Sequence, residues 1–130
     1  MKKVLRRTSS LALAITMFSC VTNSLSAFAS VSGSSSKKFN IGDIKATAST
    51  SYSYHSSATS STSCTDNSIN YLFVTATAKT GGMSYSNIDY INSPGIATKT
   101  VYNGNTIGSE GYHYGEAQSG NWTGSTTTSA

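Results

Sequence analysis

Residues 69–79 read INYLFVTATAK. The even positions from Leu72 to Ala78 are all apolar, and the odd positions add Tyr71 and Phe73 near the front. Because successive side chains of a strand point to opposite faces, this pattern predicts a strand with two apolar faces at its front end. Strands buried on both faces lie inside a sheet, so we expect a central strand here.

A second stretch shows stricter alternation. Residues 45–54 read KATASTSYSY, with Ala, Thr or Tyr at the even positions and Lys, Ser or Thr at the odd positions. This period of two predicts a strand with one packed face and one solvent-facing face.

Turn residues divide the rest of the chain into short segments. Further strands are expected at residues 83–91, 96–102, 109–118 and 122–128. Gly81-Gly82, the sequence NSPG at 92–95, NGN at 103–105 and SGN at 119–121 supply the turns. The apolar phase slips between Tyr85 and Ile88, which predicts a bulge. Residues 56–65 fit either a weak strand or a long loop.

These segments predict an all-β fold. Six or seven strands with short connections indicate a small antiparallel β-sandwich, with a small barrel as the alternative. Parallel pairing needs crossovers of a dozen or more residues, for which the chain has no room. The expected core is Ile41, Ile44, Tyr52, Ile69, Leu72, Phe73, Val74, Ile88, Ile96, Val101 and Trp122.

The first 29 residues have the order of a secretory signal peptide. A basic start at residues 2–7 precedes an apolar run at 11–21 and the triplet Ala27-Phe28-Ala29. Small residues at the first and third places predict cleavage between Ala29 and Ser30. The apolar run is shorter than the about 20 residues that cross a bilayer. We therefore expect Sec-type export to the extracellular space. The alternatives are an N-terminal helix of the domain and a lipoprotein modified at Cys20.

The export hypothesis sets the domain boundaries. Residues 30–38 are rich in Ser and Lys and predict a flexible leader, followed by a single β-sandwich domain at 39–130. Cleavage leaves Cys64 as the one thiol, so no intrachain disulfide forms. Such cysteine-poor exported proteins are typical of Gram-positive bacteria. Cys64 is expected to be a small buried residue, with interchain pairing as the alternative.

The charge distribution argues against nucleic acid. The formal net charge is +4, but Lys2, Lys3, Arg6 and Arg7 carry this excess. The remaining chain balances Lys against Asp and Glu and contains no Arg. Phosphate binding needs clustered positive charge, so we expect no nucleic-acid partner. The same neutrality gives no basis for stable membrane insertion of the mature chain.

The motifs of catalytic and metal sites are missing from the sequence. No Gly-x-Ser-x-Gly elbow exists, and nothing local links His55 or His113 to Cys64 or a serine. Glu110 and Glu116 would share a strand face about 20 Å apart, too far for paired carboxylates. We expect no enzyme, no cofactor and no metal. Calcium held by Asp66, Asn67 and Asp89 is the alternative to a turn-forming role for these residues.

The aromatic residues carry the functional prediction. All eight Tyr of the chain follow residue 51. Exposed on a sheet, such rings bring contact area at low entropic cost and suit sugars or proteins. The candidate ligand-binding residues are Tyr52, Tyr54, Tyr112, Tyr114 and Trp122. The alternative is a tyrosine-packed core with its hydroxyls at the rim.

The prediction is therefore a small secreted, non-enzymatic binding or interaction module. Its expected partner is a cell-wall glycan or a secreted or surface protein, and exposed sheet edges also predict self-association. The alternatives are a secreted antimicrobial, bacteriocin-like or toxin protein and a small secreted hydrolase.

Overall fold

The computed structural model describes residues 32–130. The predicted signal peptide, Cys20, the cleavage site at Ala29 and Ser30, and the start of the leader lie outside these residues. The eight strands are β1 (Ser32–Ile41), β2 (Ile44–Ser53), β3 (Ser57–Cys64), β4 (Ile69–Lys79), β5 (Ser84–Ile91), β6 (Gly95–Tyr102), β7 (Gly108–Ala117) and β8 (Trp122–Ser129). A short 3₁₀ turn at Gln118–Gly120 joins the last two strands. This part of the chain holds no helix with the length and apolar character that a bilayer crossing requires.

The strands form two antiparallel four-stranded sheets. Sheet A has the order β1-β2-β3-β6, and sheet B has the order β5-β4-β7-β8. The two sheets pack face to face, with β3 over β4 and β1 over β8. The predicted all-β antiparallel sandwich is confirmed, with eight strands in place of six or seven.

The first added strand replaces most of the expected leader. Residues 32–38 belong to β1, which pairs along its whole length with β2, from Ser32 opposite Ser53 to Ile41 opposite Ile44. The leader was predicted because Ser and Lys have little apolar surface to bury. An edge strand needs less burial, because backbone hydrogen bonds to one neighbour hold it.

The second added strand settles the ambiguous segment at residues 56–65. It contains β3, which pairs with β2 on one side and β6 on the other. Its buried residues alternate strictly and are Ala58, Ser60, Thr62 and Cys64. The sequence pattern was weak because this inward face is made of small and hydroxyl-bearing side chains.

The expected bulge between Tyr85 and Ile88 is wrong. β5 pairs with β4 without interruption, from Leu72 opposite Ile91 to Lys79 opposite Ser84. The register shift lies instead in β4 between Ile69 and Tyr71, where it pairs with β7. β5 tolerates apolar residues in both phases because it is an edge strand with two largely exposed faces.

The predicted core is confirmed around β4, but two of the residues predicted to belong to it are exposed. Leu72 and Val74 are fully buried, and β4 lies between β5 and β7 as a central strand should. The buried apolar cluster comprises Phe39, Ile41, Ala46, Ala48, Cys64, Ile69, Leu72, Val74, Ala97 and Ala117. Ile88 and Ile96 are wrong as core residues, since they are 50% and 60% exposed. Each lies on the outer face of an edge strand.

A glycine permits close contact between the two sheets at one side of the sandwich. A Cβ atom at Gly124 in β8 would overlap the carbonyl oxygen of Asn40 in β1. The two edge strands therefore approach backbone to backbone. Only a residue without a side chain permits this approach.

Candidate functional site

Five aromatic rings share the outer face of sheet B. They are Tyr71 and Phe73 on β4, Tyr90 on β5, and Tyr112 and Tyr114 on β7. Phe73 lies opposite Tyr90 on one side and opposite Tyr114 on the other, and directly opposed residues share a face. We call this surface the aromatic face.

The rings of the aromatic face are linked by contacts, and Tyr71 contacts three of the other four rings. Its ring centroid lies 5.8 Å from that of Tyr90, 6.2 Å from that of Tyr114 and 6.5 Å from that of Phe73. Tyr112 extends the cluster, 6.3 Å from Phe73. These separations fall within the range of favourable aromatic pairs, so each ring restricts its neighbours. The surface is preorganised.

The aromatic face is open to solvent at its margins. Tyr90 and Tyr112 are 52% and 42% exposed, and Ile88 adds apolar area beside Tyr90 on the same strand. Tyr71, Phe73 and Tyr114 are partly buried between these neighbours. A contiguous exposed patch of large apolar side chains is characteristic of an interaction site.

Two phenols of the aromatic face, those of Tyr71 and Tyr114, stay neutral at physiological pH. The Tyr114 Oη atom donates a 2.8 Å hydrogen bond to Oε2 of Glu116. This bond, with some burial and the nearby Glu116 charge, raises the pKa of Tyr114 to about 12. Partial burial and the neighbouring Tyr90 and Glu116 also raise the pKa of Tyr71. Tyr71 and Tyr114 therefore present hydroxyl groups and not phenolates.

Hydroxyl side chains surround the rings. On β4 and β5, Thr77 Oγ1 and Ser86 Oγ lie 2.7 Å apart. On β8, Ser125 lies opposite Tyr114 and Thr127 opposite Tyr112. The surface consequently combines flat apolar rings with a rim of uncharged donors and acceptors.

Two carboxylates lie at opposite ends of β7 on this face. Glu116 accepts the Tyr114 hydrogen bond, and Glu110 lies 3.8 Å from Lys79 Nζ in an exposed ion pair. Exposed pairs of this kind contribute little to stability. The two acids do not converge on a common point.

The outer face of sheet A differs sharply. Its residues on β3 and β6 are mostly Ser and Thr, linked across the strands from Thr59 to Thr100 at 2.8 Å and from Ser61 to Thr98 at 2.9 Å. Tyr102 is the large ring on this face and is 80% exposed at the end of β6. This tyrosine is therefore a matched control for the aromatic face.

Two of the five residues predicted as a binding site belong to the aromatic face, namely Tyr112 and Tyr114. Trp122 instead packs against the core cluster and over Gly42. The remaining two lie on the β2 side of the molecule. Tyr52 covers Gly33, and Tyr54 follows β2 and stacks on His55 at 4.0 Å.

The sequence reasoning missed Tyr71, Phe73 and Tyr90 as site residues. Tyr71 and Phe73 were expected to be buried, because β4 is the most apolar strand of the domain and was predicted to be covered on both of its faces. A visible signal was the change from Tyr and Phe to Thr75 and Thr77 along the same face, which is typical of a solvent-facing side. Their grouping with Tyr112 and Tyr114 required the strand order of sheet B.

A buried histidine connects the two sheets. His113 is fully buried on the inner side of β7, with Nδ1 2.9 Å from Thr62 Oγ1 and Nε2 2.8 Å from Thr128 Oγ1. Thr62 donates its own hydroxyl proton to the Phe73 carbonyl oxygen at 2.8 Å. Thr62 therefore accepts from Nδ1–H, and Thr128 donates to Nε2. Burial lowers the pKa of His113 to about 4, so this ring is neutral at physiological pH.

A second polar cluster fills the interior beside this histidine. Thr50 Oγ1 lies 2.7 Å from Ser60 Oγ and donates to Ser109 Oγ at 3.3 Å. These residues come from β2, β3 and β7, so the cluster also spans both sheets. Buried hydroxyls are tolerated here because each has a partner.

The other residues considered for chemistry, Cys64 and Asp66, make contacts that stabilise the fold. Cys64 is buried, and its Sγ lies 3.5 Å from the Lys45 carbonyl oxygen. Asp66 accepts hydrogen bonds from the Ser68 amide and hydroxyl, which lower its pKa and close a turn. Among residues 32–130, no three His, Cys, Asp or Glu side chains come close enough to hold a metal.

Comparison with models of protein families, with curated proteins and with solved structures finds no match for this chain.

Proposed function

We propose that this protein is a secreted, non-catalytic binding module that docks a cell-wall glycan on its aromatic face. The observation that carries the proposal is a cluster of five rings, linked by four ring–ring contacts, on one solvent-facing side of a sheet. The order of basic, apolar and small residues in the first 29 positions supports export.

The chemistry of the aromatic face matches that of a sugar chain. A sugar ring offers an apolar C–H face and a perimeter of hydroxyls. The rings of Tyr90 and Tyr112 supply apolar contact, while Tyr hydroxyls and the Ser and Thr rim supply hydrogen bonds. Neither partner needs a charge.

The shape of the surface favours a glycan over a protein partner. The rings lie on three adjacent strands of one sheet, so the platform is broad and preorganised and extends in two directions. An extended, repeating ligand can use several rings at once, and weak contacts of each ring then add through multivalency.

The test is cosedimentation of the purified protein with insoluble cell-wall polysaccharide. Tyr90→Ala and Tyr112→Ala remove the two most exposed rings of the aromatic face. Tyr102→Ala removes a more exposed ring from sheet A. We expect each of the first two variants to lower the bound fraction severalfold and the double variant to abolish binding, while Tyr102→Ala binds like the parent protein.

Two results would contradict the proposal. One is equal binding by the double variant and the parent protein, which would place the contact elsewhere. The other is a failure of the parent protein to bind cell-wall polysaccharide while a purified surface protein binds in a manner that depends on Tyr112. That second result would assign the aromatic face to a protein partner.

A second candidate function rests on a different surface. Backbone hydrogen bonds from His55 to Thr106 and from Ile107 to Lys79 join three loops at one end of the sandwich. Exposed large side chains at this end are Tyr54, Met83, Tyr102 and Ile107. An apolar end of this kind supports insertion into a lipid surface, which an antimicrobial or toxin protein would use.

Vesicle binding tests this second candidate. Anionic and neutral vesicles are incubated with the parent protein, with Met83→Ser plus Ile107→Ser, and with Ile96→Ser as an exposed isoleucine at the opposite end of β6. The candidate predicts binding and leakage that only the first variant loses. Absence of parent binding to both vesicle types would remove it.

A further inference from the structure

Sheet B ends in a strand whose outer edge is unpaired. β5 is bonded to β4 on one side, and no other strand of residues 32–130 pairs with it. Both of its faces are largely exposed, and its large side chains Tyr85, Ile88 and Tyr90 are 43% to 52% exposed. An open strand edge flanked by apolar side chains is a template for the addition of another strand.

Lysine or a close backbone contact is present on each of the other edge strands, although β6 also exposes Ile96 and Tyr102, whereas β5 has neither feature. β1 carries Lys37 and Lys38, and β6 carries Lys99. Lysine on an edge strand opposes pairing with another sheet. β8 is approached by the β1 backbone at Gly124 and has no exposed large apolar side chain. β5 contains no Lys, Arg or Pro, and Asp89 is its one charge.

A local hydrogen bond occupies the edge at the centre of β5. The Ile88 amide donates to Oδ1 of Asn87 at 2.9 Å, using a side chain of its own strand as the acceptor. A backbone acceptor on an added strand would replace this bond and release the Asn87 amide group for another partner.

We infer that two copies of this chain pair through their β5 strands, antiparallel and about a two-fold axis at Ile88. The two B sheets then become one continuous eight-stranded sheet. The observations that carry this inference are the open edge, its apolar flanks and the complementarity of its residues in this register.

The pairing register of the two β5 strands follows from the side chains that it places opposite each other. About an axis at Ile88, this residue faces its own copy, Tyr85 faces the partner's Ile91, and Asn87 faces the partner's Asp89. The first two contacts are apolar, and the third lets an amide donate to a carboxylate. Opposed pairs of this kind stabilise a sheet, and the two-fold symmetry supplies the Tyr85–Ile91 and Asn87–Asp89 pairs twice.

The neighbouring registers are less favourable. An axis at Asp89 sets two carboxylates opposite each other, which is destabilising. An axis at Asn87 sets Tyr85 opposite the partner's Asp89. An axis between residues would turn the outer face of one sheet toward the inner face of the other.

The paired sheet would carry both aromatic faces on the same side, because a two-fold axis perpendicular to a sheet preserves its faces. Tyr90 would lie close to the axis, opposite the partner's Ser86. Two platforms side by side would increase the avidity for a repeating ligand. The pairing does not depend on the glycan proposal, and each can fail alone.

The first test measures the mass of the full chain against concentration by sedimentation equilibrium. We expect a reversible dimer. Ile88→Lys sets two like charges on the axis and should abolish it. Asn87→Lys sets Lys opposite the partner's Asp89 and should tighten the dimer roughly fivefold. In the register centred on Asn87 the same change would weaken the dimer.

The second test is oxidative cross-linking. Ile88→Cys should form an interchain disulfide, because the two copies of this position face each other. Ser84→Cys is the matched control, since its two copies would lie about 27 Å apart in this register. Both variants also carry Cys20→Ser, and the remaining native thiol, Cys64, is buried.

Several results would overturn the inference. They are a monomeric mass up to the solubility limit, a dimer that survives Ile88→Lys, and equal cross-linking of the two cysteine variants. Loss of polysaccharide binding in Tyr112→Ala with an unchanged dimer would leave the pairing standing, which separates this inference from the proposed function.

Discussion

His113 Nδ1 lies 2.9 Å from Thr62 Oγ1, so a titratable ring on sheet B is hydrogen-bonded to a hydroxyl on sheet A inside the sandwich. The same ring reaches Thr128 on β8 through Nε2. The neutral ring satisfies both hydroxyls and both of its own nitrogens. Protonation would add a second proton to the ring, at Nε2, where it would displace the bond from Thr128 and place a charge between the sheets.

This relationship predicts a loss of stability in mild acid. The folded pKa of His113, about 4, lies below the ordinary value of 6.5. Between these values the unfolded chain binds the proton and the folded chain does not. Stability is therefore complete above pH 6.5 and falls as the pH decreases to 4, by about 3 kcal/mol.

Chemical denaturation at a series of pH values measures this effect. His113→Gln should remove most of the slope between pH 6.5 and 4, at a cost in stability at neutral pH. His55→Gln changes an exposed ring and should keep the slope. An unchanged slope in His113→Gln would show that another group is responsible.

Removal of the Thr62 hydroxyl should also be costly. Thr62→Val preserves the side-chain shape but leaves Nδ1–H of His113 and the Phe73 carbonyl without this partner. We expect a loss of about 1–3 kcal/mol in the free energy of unfolding. The control is Thr98→Val, which breaks an exposed hydroxyl contact with Ser61 and a longer 3.2 Å bond to the Ser60 carbonyl oxygen, and should cost less than about 1 kcal/mol. Equal losses would contradict the buried network.

The backbone contact between β1 and β8 gives a steric prediction. Gly124→Ala would force the new Cβ against the Asn40 carbonyl oxygen, so the sandwich must open at this side. We expect destabilisation of about 2–4 kcal/mol, measured by thermal or denaturant unfolding. Gly82→Ala is the matched control, because a Cβ there meets no atom within 4 Å. A neutral Gly124→Ala would contradict the closeness of these two strands.

The strand pattern could be predicted from the sequence where side chains alternate between apolar and polar. β4 and β2 were found in this way. β1 and β3 were not, because Ser and Thr occupy both faces and backbone pairing decides their conformation. The burial of Ser60 and Thr62 depends on partners from other strands, Thr50 on β2 and His113 on β7, which no local pattern reveals.

The aromatic face could be predicted only in part for the same reason. Tyr112 and Tyr114 were selected because they alternate on one strand. Tyr71 and Phe73 join them through the pairing of β4 with β7, two strands that are not consecutive in the sequence. Trp122 was selected for its size, but its position over Gly42 makes it a packing residue.

The phenol next to Glu116 gives a spectroscopic prediction. The pKa of Tyr114 is raised to about 12, chiefly by the hydrogen bond to Glu116. Following phenolate absorbance in alkali, Glu116→Gln should lower the pKa of this tyrosine, and Tyr114→Phe should remove one late-titrating group. Glu110→Gln, at the other end of β7, should leave the curve unchanged. An unaltered titration in Glu116→Gln would contradict the bond.

The most direct test of the central claim is a residue-resolved binding map. Soluble cell-wall glycan fragments are titrated into isotope-labelled protein, and chemical-shift changes are followed for every assigned residue. We predict saturable changes concentrated at Tyr71, Phe73, Tyr90, Tyr112 and Tyr114, with sheet A unaffected. Saturable changes confined to sheet A or to the loop ends, with the aromatic face silent, would contradict the account.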